Sequence, residues 1–230
     1  MQEKHYNVAL TDTQLEVLDI QPAGRPSSPA IVFLHDALGS IRQWKDFPHL
    51  IVERTGLRAL LYNRRGHGDS SPLPAGRTAG YLHREAAEEL PALLQQVDIE
   101  NPILFGHSDG GSIALIYAAH FPTAALVTEA AHVMVEDRTI RGIRMASRER
   151  YHLLNALQKY HGEQTEALFD AWTDTWLDPA FRDWDIRDLL PNIKCPALVI
   201  QGADDEYGTE EQVWAIATGI GPQSKALLIS

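Results

Sequence analysis

The sequence predicts an α/β fold: a mostly parallel central sheet, helices on both faces, and one helical segment inserted between two strands. Three observations carry this expectation. Short apolar runs at 30–34, 58–62, 103–105, 125–127, 197–200 and 226–229 are not interleaved with polar residues, as expected of strands buried on both faces. Helix-length stretches at 41–54, 81–97, 110–120 and 210–218 separate most of them, and such alternation belongs to parallel sheets built with right-handed crossovers. Between about 132 and 190 the alternation lapses.

Taken in order, residues 6–10 and 14–20 flank Thr11-Asp12-Thr13 and predict an antiparallel hairpin leading into the sheet. Residues 21–29 form a connector rich in Pro, Gly and Ser. The interval 132–190 holds helical patterns at 144–160 and 163–176 but no good strand, and it is too long for an ordinary connection. It carries Tyr151, Tyr160, Phe169, Trp172, Trp176, Phe181 and Trp184. Those rings are expected to form a small core of the insertion, to line an apolar cavity over the carboxyl edge of the sheet, or to divide between the two. The expected organisation is a discontinuous core, 1–131 and 191–230, with a helical cap at 132–190.

Composition narrows the partners. The 230 residues fit one domain with a sizeable insertion, and 44% hydrophobic with 22% charged residues is ordinary globular usage. A net charge of −11 lacks the basic footprint of a nucleic-acid binder and is repelled by anionic lipid. Cys195 is the sole cysteine, so no intramolecular disulfide forms, and beside Pro196 it reads as a small buried hydrophobe. Met1-Gln2-Glu3-Lys4-His5 opens without the apolar run of a signal peptide, and no apolar run is long enough to span a bilayer. A soluble, cytoplasmic protein is expected. No His or Cys pair has metal-ligand spacing and no Gly-rich loop matches a phosphate cradle, so neither metal nor cofactor is implied.

The strongest chemical signal is Gly106-His107-Ser108-Asp109-Gly110-Gly111, between the run 103–105 and a helix. Gly-x-Ser-x-Gly arises by chance about 0.08 times in a chain of this size, before its strand-to-helix context is required. A nucleophile on a sharp turn needs neighbours without side chains so that the backbone bends and the hydroxyl projects. The helix that follows aims its N-terminal N–H groups where negative charge develops.

On these residues the chain resembles the α/β-hydrolase superfamily over essentially its whole length, with an elbow like that of bacterial esterase-like and biphenyl-hydrolase-like proteins. His35-Asp36-Ala37-Leu38-Gly39-Ser40 resembles the family's oxyanion loop, although Asp36 stands where Gly is common. The resemblance implies oxyanion donors at Ala37 and Asp109. Asn63-Arg64-Arg65-Gly66-His67-Gly68-Asp69-Ser70 resembles a loop that serves as a structural network, not as a catalytic pair of His67 and Asp69. Gln201-Gly202-Ala203-Asp204-Asp205-Glu206 resembles the loop of the triad acid, which implies Asp205, with Asp204 as the alternative or as a turn cap. The family order then calls for a histidine after the last strand, yet none follows Asp205 and the last is His161. Two explanations stand: the catalytic His lies beyond residue 230, which is preferred, or it is absent. Among substitutes His132 ranks above His107, whose side chain diverges from Ser108. His35 is expected to fix the oxyanion loop, and His35, His132, Trp172 and Trp176 are candidates for the substrate pocket.

The expected function is that of a serine hydrolase acting on a small ester through an acyl-enzyme on Ser108. Amide, lactone or carbon–carbon bond hydrolysis are alternatives, and the partner is a small-molecule substrate. A non-catalytic binding protein on the same scaffold is the competing reading. A 230-residue chain that lacks a closing helix is expected to expose apolar surface and a strand edge, and so to be less stable or to self-associate as a homo-oligomer unless the missing piece is supplied.

Overall fold

The computed structural model describes residues 1–24, 27–74 and 77–230; residues 25 and 26 of the connector lie outside them. Eight strands form one sheet: β1 (Gln2–Ala9), β2 (Gln14–Gln21), β3 (Ser27–Leu34), β4 (Leu57–Tyr62), β5 (Ile103–His107), β6 (Ala125–Glu129), β7 (Ala197–Gly202) and β8 (Ser224–Ile229). Their order is β1-β2-β4-β3-β5-β6-β7-β8. The β1–β2 hairpin joins antiparallel to β4, and every later pairing is parallel. The chain runs from β3 outward to β4, then returns to place β5 on the other side of β3. That reversal opens a crevice at the carboxyl ends of β3 and β5, where open α/β sheets bind ligands.

The helices are α1 (Phe47–Thr55), α2 (Tyr81–Arg84), α3 (Leu90–Gln96), α4 (Asp109–His120), α5 (Asp137–Arg148), α6 (Arg150–His161), α7 (Thr165–Leu177) and α8 (Glu210–Ile220). Three expected helices are subdivided. The stretch 41–54 is a 3₁₀ turn followed by α1, whose first turn holds Pro48, because proline fits the first turn of a helix and not its interior. A π-helical turn, Glu85–Glu89, separates α2 from α3; Pro91 near the start of α3 lacks an N–H and crowds the carbonyl one turn earlier. The expected helix 144–160 is α5 and α6, broken at Glu149.

Alternate residues of the strands serve two cores. Val32, Leu34, Leu60, Tyr62, Leu104 and Val199 pack with α3, α4 and α8, whereas Ile31, Phe33, Ala59 and Leu61 pack with α1. This answers the uninterrupted apolar runs: both faces of the central strands are covered. Helix α4 is apolar all round and buried from Asp109 through Ala118. Val127, Leu198, Ile200, Leu227 and Ile229 belong to neither core; the first three are half-buried and the last two exposed. Cys195 is buried and unpaired. Helices α5, α6 and α7 fill the interval between β6 and β7, with a single bridge, Met134 to Asp185, as its extended structure.

Phe33 is the centre of the smaller core, with Trp44, Phe47 and Phe105 at ring-centroid distances of 5.3, 6.1 and 5.4 Å. Phe33→Ala is expected to lower unfolding stability by about 3–5 kcal/mol, measured by urea denaturation.

Candidate active site

Ser108 stands between β5 and α4 with φ +52° and ψ −117°, a conformation that disfavours a side chain and is kept only where the surroundings impose it. The surroundings do so by contact. A Cβ on Gly106 would lie 2.2 Å from the Gly110 carbonyl oxygen, and one on Gly110 would lie 2.0 Å from that of Leu34. The Ser108 N–H donates to Glu129 O on β6 at 2.8 Å, and its carbonyl accepts from Ser112 N–H at 3.0 Å. Its hydroxyl meets a cavity of about 170 Å³ and has no hydrogen-bond partner among the described residues.

The same cavity is lined by Ala37, Asp109, His132, Trp172, Trp176 and Asp205. Most of the sequence-predicted residues therefore converge, although Ser108 and Asp205 are 97 positions apart (205 − 108). The backbone N–H groups of Ala37 and Asp109 have no acceptor among the described residues. Asp205 Oδ1 accepts from the N–H groups of Tyr207 and Gly208 at 2.8 and 2.7 Å, so the turn-capping expected of Asp204 is performed by its neighbour. Asp204 is exposed and does not line the cavity.

His35, expected at the pocket, is not among the residues that line this cavity. Both ring nitrogens are engaged behind the loop: Nδ1 donates to Asp36 O at 2.8 Å and Nε2 accepts from Arg64 N–H at 3.1 Å. Its expected role of fixing the loop agrees with these bonds. Burial, with the Arg64 guanidinium beside it, holds its pKa well below the ordinary value. His107 lies across the cavity mouth from Asp36, Nδ1 to Oδ2 3.6 Å; against the cost of burial, that carboxylate raises its pKa. His132 is buried, with Nδ1 unpartnered and its ring 5.4 Å from that of Trp176. Burial lowers its pKa against the pull of Asp109, Asp205 and Glu136.

Sequence reasoning missed the support beneath Asp109. Its carboxylate is 1% exposed, accepts from Tyr81 O–H at 2.7 Å, and lies 3.7 Å from Arg64 Nη1 and 3.6 Å from Arg77 Nη2. Trp176 Nε1–H donates to the Tyr81 oxygen at 2.9 Å, and Arg77 stacks 3.6 Å over the Tyr81 ring. A buried carboxylate needs such partners, and the buried charge directly after Ser108 was the one signal available in the sequence. Arg64 also donates through Nη2 to His35 O and Asp36 O at 3.2 and 2.7 Å. Behind it, Glu85 accepts from Tyr62 O–H at 2.7 Å. Among the described residues, no cluster of His, Cys, Asp and Glu is arranged to hold a metal ion, and no helix is long and apolar enough to cross a membrane.

Burial, reinforced by the charge of Glu89, pushes the Glu85 carboxyl from 4.5 up to about 7. The native state therefore holds this proton more tightly than the unfolded chain, and the group costs stability as pH rises through that window. Glu85→Gln is expected to be near-neutral at pH 5 and stabilising by about 2 kcal/mol at pH 8 relative to the parent. Urea midpoints across that pH range check it; a difference independent of pH contradicts it.

The family model for the alpha/beta hydrolase fold matches residues 29–181. An sn-1-specific diacylglycerol lipase of Mus musculus is 37% identical over 99 residues, 43% of this chain and 31% of that protein. The serine hydrolase BPHL of Homo sapiens is 30% identical over 155 residues, 63% of this chain and 52% of that protein. The matched stretch thus spans about half or less of these curated relatives. The crystal structure of the enol-lactonase from Burkholderia xenovorans LB400 superposes with a TM-score of 0.74 at 18% identity, covering 98% of this chain and 91% of that one. With the elbow, the sheet order and this match in agreement, the chain belongs to the alpha/beta hydrolase fold family.

Proposed function

We propose that this protein is a serine hydrolase that cleaves a small ester through an acyl-enzyme on Ser108. The observation that carries the reading is the conjunction at one cavity of an unpartnered Ser108 hydroxyl on an elbow with two unengaged backbone N–H groups, Ala37 and Asp109. Ser108 Oγ attacks the carbonyl carbon, its proton passes to a histidine base, and the carbonyl oxygen becomes an oxyanion held by the two N–H groups. Collapse expels the alcohol, which takes that proton, and water then releases the acid by the same path. Asp205 orients the base, and its Oδ2 carries no hydrogen bond among the described residues.

The base is a histidine, which a segment C-terminal to residue 230, where present, would contribute. Ile229 O on β8 accepts from Ala203 N–H at 2.8 Å, so a chain continuing from β8 would enter beside the Asp205 loop. His132, with its unpartnered Nδ1 at the cavity, is the substitute base if no such segment exists. Residues 132–190 act as a cap: Trp172 and Trp176 from α7 close one side of the cavity. A volume of about 170 Å³ favours a short acyl or alkyl group, and an amide, lactone or activated carbon–carbon bond would use the same donors. The apolar residues of β6–β8 outside both cores support self-association when nothing else covers them. A cytoplasmic location accords with the single reduced thiol.

A non-catalytic binding role is favoured by one observation, the lack of a histidine bonded to Ser108 Oγ among the described residues. Hydrolysis of p-nitrophenyl acetate and butyrate by the naturally expressed protein decides between the two. Ser108→Ala is expected to lower kcat by at least about 1,000-fold. Unchanged turnover in that variant contradicts the proposal, and binding without turnover in the parent favours the alternative.

A further inference from the structure

Three consecutive carbonyls of the loop after β3, those of Asp36, Ala37 and Leu38, each lie against a histidine ring. His35 Nδ1 is 2.8 Å from Asp36 O, His67 Nε2 is 3.1 Å from Ala37 O, and His161 Nε2 is 2.9 Å from Leu38 O. The rings adjoin, with His35 and His67 centroids 4.5 Å apart and those of His67 and His161 5.8 Å apart. Two proton positions follow from the partners. His35 Nε2 accepts from Arg64 N–H, so Nδ1 donates; His161 Nδ1 accepts from Gly68 N–H at 3.1 Å, so Nε2 donates. His67 also faces Arg65 O through Nδ1 at 3.1 Å, and a neutral ring donates to one of its two carbonyls.

His35 and His67 belong to the sheet's own loops, but His161 does not. It is the last residue of α6, 123 positions from Leu38 and 2% exposed. Its surroundings dock with it: Gln164 Nε2 donates to Gly68 O and Ser70 O at 2.9 Å each, and Arg42 donates to Lys159 O at 2.6 Å.

We infer that His161 is a positioning residue through which the helical insertion holds the oxyanion-stabilising N–H of Ala37. The relay has two steps. His161 fixes the Leu38 carbonyl, and the N–H of that same peptide unit, on Gly39, donates to Asp36 O at 3.1 Å. Asp36 O in turn belongs to the peptide unit that carries the Ala37 N–H. Because a peptide unit is planar, fixing its oxygen fixes the direction of its hydrogen. A displaced insertion therefore tilts the donor, and donors aimed in advance are what stabilise a developing oxyanion. The inference rests on the reading of Ala37 as an oxyanion donor.

The two ring nitrogens can be replaced separately. Glutamine places its amide nitrogen near the Nε2 position and keeps the donation to Leu38 O. Asparagine places its oxygen near the Nδ1 position and keeps the acceptance from Gly68 N–H, but does not reach Leu38. With p-nitrophenyl butyrate and the naturally expressed protein, His161→Asn and His161→Phe are expected to lower kcat about 10- to 100-fold with KM within about threefold. His161→Gln is expected to keep kcat within about threefold. Exchange of the Gly39 amide, followed by NMR, is expected to be about tenfold faster in His161→Asn than in His161→Gln. Equal kcat and equal Gly39 exchange in the Asn and Gln variants, with melting temperatures that simply track the loss of packing, overturn the inference. Turnover that survives Ser108→Ala in the same assay overturns instead the site reading beneath it.

Discussion

Helix α4 is pressed so closely against the ends of β3 and β5 that no atom beyond hydrogen fits at Gly110, where a Cβ would meet the Leu34 carbonyl at 2.0 Å. The rest of the site depends on that contact. It forces the turn between β5 and α4 to be sharp and leaves Ser108 at φ +52°. It also brings the first N–H of α4 to the loop that leaves β3, so that Asp109 and Ala37 line one cavity. The strain at Ser108, on the order of 1–3 kcal/mol, is offset by the burial of nearly the whole of α4.

The close approach also places Asp109 out of reach of water. Arg64, Arg77 and Tyr81 answer that charge, and Arg64 does so while holding the carbonyls of His35 and Asp36. One guanidinium thus ties the loop after β3 to the first turn of α4. Its planar fork of donors suits this work better than a lysine would. Trp176 from α7 and His161 from α6 reach the same region from the insertion, so the helices over the sheet are coupled to both N–H groups of the site.

Much of the scaffold was legible because the central strands are buried on both faces, which leaves an uninterrupted apolar signature at 30–34, 58–62 and 197–200. The elbow was legible because its steric demand selects glycines at fixed offsets from a serine. Helix subdivision was only partly legible. Pro48 marks the start of α1, while the break at Glu149 between α5 and α6 occurs without glycine or proline. Asp205 and Asp204 were indistinguishable in type and separate only once the backbone shows which of them faces the cavity. Arg77, Tyr81 and His161 were hidden for a common reason. Their contacts span 28 to 123 positions, which no local periodicity records, and a histidine whose nitrogens are both engaged looks in sequence like one that is available.

The central claim is that Ser108 is an activated nucleophile. Intact-mass spectrometry of the naturally expressed protein before and after a fluorophosphonate, followed by peptide mapping, tests it directly. A single adduct on Ser108 is expected. A protein that stays unmodified, or is modified elsewhere, would contradict it.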